Sequence, residues 1–187
     1  PPYILSQYIP SIPIDETLGY LKELLIENGI DDVKNLEFLE LTKRCMKQNY
    51  FQFNNQFYEQ IDGTAIGNYL SPLLANLFMS KFEENLKETL EYFPRVWIRY
   101  VDDIFVVFNT IEYSLEEFYK NINNAHQYIK FDIENEQKSS LPFLDIKCIR
   151  NDKKIEFDIF RKPTNNNRYI FNDSNHSSQH KIASFNS

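Results

Sequence analysis

PRVWIRYVDDIFVVF, residues 94–108, sets two apolar and aromatic arms around one pair of adjacent carboxylates, Asp102 and Asp103. Val96, Ile98 and Tyr100 recur at every second residue on one arm, and Ile104, Val106 and Phe108 do so on the other. Alternation among β-branched and aromatic residues predicts a strand on each arm. Aspartate is a poor strand residue, so the pair is expected at the tip of a β-hairpin. Carboxylates held on a rigid tip suit Mg²⁺, which takes hard oxygen ligands and few protein carboxylates per ion. A plain Asp-Asp turn without a metal is the alternative, and the neighbouring sequence decides between them.

The chain of 187 residues is long enough for one domain with a sizeable core. With 42% hydrophobic and 16% aromatic residues, the composition is globular rather than disordered. The net charge of −7 has the wrong sign for a protein that grips phosphates over its whole surface, so local patches must carry any nucleic-acid contact. Cys45 and Cys148 lie far apart in no zinc-like spacing, which fits a reducing, intracellular setting. No apolar run of about 18 residues predicts a membrane span. The opening Pro1-Pro2 and the close at Asn186-Ser187 suggest a piece of a longer protein.

In chain order, the four prolines between Pro1 and Pro13 predict an extended entry segment. Asp15 is the expected N-cap of a helix bearing Leu18, Leu21, Leu24 and Leu25, which Asn28-Gly29 stops. A second helix is expected over 35–47, with Leu36, Leu39, Cys45 and Met46 inward. Phe51 to Phe57 reads as a hairpin turning at Asn54-Asn55. Gly63 and Gly67, half of the chain's glycines, then share one loop. Either it is a simple turn before a core helix, or its bare backbone approaches a bound strand. Ser71-Pro72 predicts a helix start, with Ser71 as cap and Leu74, Leu77, Phe78, Phe82, Leu86 and Leu90 as the apolar stripe. Beyond the Asp-Asp hairpin, Ser114 to Glu117 is a capping box opening a helix with Leu115, Phe118 and Ile122 inward. A strand over 129–134 and a hairpin of 143–150 with 155–160 follow. Between Lys147 and Lys181 basic residues outnumber acidic ones, with Tyr169 and Phe171 among them. That mixture can follow a phosphate backbone while rings stack on bases, although a solvated loop reads the same way. His176 and His180 stand at i, i+4 without a companion ligand pattern for zinc.

Four stretches in this order resemble the palm of a reverse transcriptase, most closely the Penelope-like retroelement group. They are QIDGTAIG with LSPLLANLFMSKFE (60–83), RYVDDIFVVF (99–108), LPFLDIKCIR (141–150) and FRKPTNNNRYI (160–170). The resemblance implies an α+β fold, an antiparallel sheet with helices on one face. Residues 1–160 would be a palm truncated at the fingers, and 161–187 the connection to, and start of, a thumb. It implies RNA-directed DNA polymerisation with Mg²⁺ or Mn²⁺ by two-metal nucleotidyl transfer. Asp102 and Asp103 would be the catalytic, metal-holding pair. Gly63, Gly67 and Ser71 would line the nascent base pair and template, and Arg161, Lys162 and Arg168 would follow the primer–template backbone. The implied partners are an RNA template, a DNA primer and dNTPs, with no membrane, and the implied location is intracellular, in the nucleus.

One departure bears on activity. The resemblance implies a further metal-holding aspartate on the first palm strand, just before the stretch that SQYIPSIPI (6–14) resembles and so near Tyr3 or Ile4, and no carboxylate precedes Asp15. Loss of that ligand predicts a chain without polymerase activity. A non-catalytic nucleic-acid-binding palm and a decayed element remnant are the alternatives. Ile66 also stands where the group commonly has methionine.

Overall fold

The computed structural model describes residues 2–7, 12–60, 67–151, 154–164, 170–171 and 173–183. The chain divides into two compact units, Pro1–Leu141 and Pro142–Ser187. In the first run β1 (Pro2–Gln7), α1 (Ile14–Glu27), α2 (Asp32–Lys47), β2 (Tyr50–Phe53), β3 (Gln56–Glu59), α3 (Ser71–Thr89), β4 (Val96–Tyr100), β5 (Asp103–Val107), α4 (Leu115–Asn124) and β6 (Phe131–Asn135). β7 (Ser140–Phe143) begins at the division, and β8 (Ile146–Arg150), β9 (Ile155–Ile159) and α5 (Ser178–Ala183) follow.

The first unit is built on an antiparallel sheet of order β4-β5-β1-β6. Strand alternation sends Tyr3 and Leu5 of β1 and Ile104 and Val106 of β5 to one face, where all four are buried. There they join Phe78, Met79, Phe82 and Leu86 of α3 and Phe118 and Ile122 of α4 in one apolar cluster. The opposite face carries Val96, Ile98, Tyr100 and Val107, all exposed. An α+β fold with helices on one face of an antiparallel sheet is therefore what forms. The proline-rich entry segment is more than a lead-in: its residues 2–7 form a central strand, because Tyr3-Ile4-Leu5 gives β5 and β6 an apolar partner.

Helix starts follow caps that differ from the expected ones. Pro13, not Asp15, caps α1, and its carbonyl accepts from Thr17 N (3.1 Å) and Thr17 Oγ1 (2.7 Å). Asp15 lies inside the first turn, where its charge suits the helix dipole, and pairs with Lys43 of α2 at 2.7 Å. α2 starts at Asp32 behind the Asp31 cap, which accepts from Lys34 N, and buries Asn35, Thr42 and Met46. Leu36 is 62% exposed and Cys45 is exposed, so the buried stripe is rotated from the expected one toward α1, where Asn35 Nδ2 reaches Lys22 O (3.4 Å). Ser114 caps α4 as expected, accepting from Glu117 N at 3.3 Å.

β2 and β3 pair around Asn54 and Asn55, both at positive φ (49° and 58°), the backbone that a two-residue hairpin loop favours and asparagine tolerates. Every residue of that hairpin is exposed. In the second unit β8 pairs with β9 as expected, and β7 adds a third strand through a turn at Leu144 (φ 55°) that the sequence did not announce. Among the described residues no helix is long and apolar enough to cross a membrane.

Candidate active site

The residues 96–107 hairpin closes with Tyr100 opposite Asp103, leaving Val101 and Asp102 as a two-residue loop. Only Asp102 of the pair is at the tip, and Asp103 heads β5. Strand pairing reaches that far because Asp103 also stands opposite Ser6 of β1, so the sheet holds it from both sides. Val101 takes φ 52°, a region in which a β-branched residue is strained. Asp102 is half-buried, and its Oδ1 is buried without a hydrogen-bond partner among the described residues. Burial pushes its carboxyl above the usual aspartate range, and the neighbouring Asp103 charge adds to the shift. An ionised oxygen in that position is costly until a cation or donor meets it.

Behind the hairpin, α3 grips β4. Arg99 Nε donates to Glu83 Oε1 at 2.7 Å and Nη2 reaches Oε2 at 3.4 Å, while Nη1 donates to Asn76 Oδ1 at 2.9 Å and Nη2 approaches Ser80 Oγ at 3.5 Å. Trp97 Nε1 donates to the same Glu83 Oε1 at 2.9 Å. The Arg99 and Glu83 side chains are only 14% and 15% exposed. The sequence reading missed this cluster. Its signal was Arg99 on the inward parity of a strand, and a polar stripe at 76, 80 and 83 on one helical face.

The turn into α3 is organised by Asn68 rather than Ser71. Leu70 is the N-cap, and its N–H is met by Asn68 Oδ1 (2.9 Å), while Asn68 Nδ2 donates to Cys45 O at the end of α2 (2.9 Å). Ser71 is the first helical residue and is buried. Gly67 precedes them, exposed, at φ 97°, a backbone that glycine alone adopts without strain. Gly63 and Arg168 lie outside the described residues. Arg161 and Lys162 are exposed in the second unit, just after β9.

Residues 11–158 match the family described as Reverse transcriptase (RNA-dependent DNA polymerase). The chain belongs to that family. It is 31% identical over 85 residues to the "Uncharacterized 91 kDa protein in cob intron" of Schizosaccharomyces pombe, a match covering 44% of this chain and 9% of that protein. Its fold is similar to a chain in the structure of telomerase from Candida albicans complexed with a TWJ fragment of telomeric RNA, at TM-score 0.60 and 13% identity, over 84% of this chain and 30% of that one. This reverse transcriptase chain thus spans under a third of either relative. Its family implies a divalent cation and a nucleic-acid template.

The residues present suit one such cation better than two. The partnerless, buried Asp102 Oδ1 with Asp103 beside it fits one divalent ion. A third carboxylate for two ions is not found among the described residues: β1, the strand next to the Asp pair, has the sequence PYILSQ. Tyr3 and Ile4, where the resemblance puts the missing aspartate, are 6% and 5% exposed. Among the described residues, no three His, Cys, Asp or Glu side chains come together for a metal.

Proposed function

We propose that this chain is the palm part of a retroelement RNA-directed DNA polymerase of the Penelope-like group, and that as it stands it binds nucleic acid and one divalent cation but does not polymerise. The observation that carries the reading is a carboxylate-bearing turn beside a β1 without a carboxylate, whose Ser6 stands opposite Asp103. In this reading Asp102 and Asp103 hold Mg²⁺ or Mn²⁺, which when bound supplies charge stabilisation to phosphoryl transfer. Gly63, Gly67 and Ser71 line the template and nascent pair, and dNTPs and a DNA primer on an RNA template are the remaining partners. Arg161, Lys162 and Arg168 follow the primer–template backbone. Residues 1–160 form the palm and 161–187 lead to a thumb, and the protein works inside the cell, in the nucleus.

The β1 slot also bears on rescue. If a segment upstream restores that aspartate, activity follows the family; within the described sheet β1 holds the place between β5 and β6. The test is primer extension on an RNA template with Mg²⁺ or Mn²⁺, beside binding of the same duplex at graded salt. Salt-sensitive binding without extension is expected. Extension abolished by Asp102→Asn would overturn the inactive reading, and absence of both binding and extension would overturn the function.

The lack of a carboxylate in β1 also favours a second reading, a palm retained solely to bind nucleic acid. Duplex affinity unchanged by Asp102→Asn and by removal of divalent ions would support it.

A further inference from the structure

The Val101-Asp102 turn is strained and sits where support is uneven. On the β5 side, Asp103 is flanked by β4 and β1. On the other side, β4 is the outermost strand of the described sheet, with a partner along one edge only. An edge strand has nothing on its free side to keep it in register, and a positive φ at a valine persists only where its surroundings impose it. The side chains joining β4 to α3 fill that need. Asn76, Ser80 and Glu83 stand at i, i+4 and i+7 along α3 and meet the guanidinium of Arg99 in a row, two residues before Val101. Glu83 meets it through both carboxylate oxygens and receives Trp97 from the same strand. A planar fork on a carboxylate fixes direction as well as distance, which a lysine cannot do. The Arg99 guanidinium is engaged by Asn76, Ser80 and Glu83, so the clamp acts on the turn through the β4 backbone.

We propose that Arg99 and Glu83 are positioning residues, a clamp from α3 that holds the edge strand so that Val101 stays at positive φ and Asp102 is presented to a divalent cation. The clamp's cation-holding consequence rests on the function proposed above, whereas its effect on Val101 does not.

The experiment uses the whole chain and its Arg99→Lys variant. Mn²⁺ affinity is read by electron paramagnetic resonance, the Val101 backbone by its Cα and Cβ chemical shifts, and folding by thermal denaturation. Arg99→Lys keeps the charge and loses the fork. It is expected to weaken Mn²⁺ binding about tenfold or more and to move the Val101 shifts toward ordinary extended values in a chain that remains folded. A role confined to stability would lower the melting temperature and leave both native, and that result overturns the proposal. Should native Mn²⁺ binding prove indifferent to Asp102→Asn, the cation reading fails, and the Val101 shifts alone decide the clamp. If Arg99→Lys does not fold, Asn76→Ala, which removes one exposed acceptor of the guanidinium, is read in the same way.

Discussion

Burial raises the Asp102 carboxyl above its usual range, and the Asp103 charge raises it further. A carboxyl with a raised native pKa holds its proton longer folded than unfolded. It therefore costs no stability below the usual aspartate value, and that stability is lost as pH rises from there through the raised one. Asp102→Asn should accordingly raise the metal-free melting temperature at pH 7, with the gain vanishing near pH 3, and Mn²⁺ should close the gap by stabilising only the native carboxylate. Ser6→Asp puts a carboxylate opposite Asp103 at the strand spacing of about 4.8 Å. Two like charges facing across strands repel, so this variant should melt lower than the native chain in EDTA and gain more from Mn²⁺. Equal shifts in both chains would argue against a second ligand being accommodated there. The pair itself was legible from its two flanking arms. What was not legible is the inequality between its members, since one residue of register decides which is tip and which is strand.

Elements differ in what they were able to disclose. Of the hairpins signalled by local chemistry, Asn54-Asn55 forms where expected, and the aspartate hairpin forms with its turn one residue earlier, at Val101-Asp102. α2 did not bury the expected Leu36 and Cys45, because which stripe of a helix turns inward depends on its neighbour, here α1, and not on its own periodicity. Burial also ranks the consequences of mutation. Phe78→Ala in α3, at the centre of the apolar cluster, should cost about 4 kcal/mol, whereas Phe57→Ser on the exposed β3 should stay within about 0.5 kcal/mol, both by denaturant titration. Glu83→Gln should cost about 2 kcal/mol, below the range for a fully buried pair because water still reaches these side chains. Neither member of that pair stood out in the sequence, since a Glu on a helix and an Arg on a strand usually face solvent.

At the scale of the molecule, all the residues of the apolar cluster lie before the division at 141. Residues 1–141 alone should therefore keep a cooperative melt and the near-ultraviolet dichroism of the packed rings. A non-cooperative melt would show that 142–187 is needed for the core. With a net charge of −7, duplex binding should rely on few local cations. Arg161→Ala with Lys162→Ala should then flatten the dependence of log affinity on log salt by about two, one for each phosphate that no longer meets a cation. The central place of β1 also sets a timetable. Its partners β5 and β6 end at Val107 and Asn135, so on the ribosome Tyr3, Ile4 and Leu5 wait through the making of more than a hundred residues. At about 5–20 residues per second that delay is on the order of ten seconds, during which an apolar strand is without its sheet and open to chaperones or to a neighbouring nascent chain.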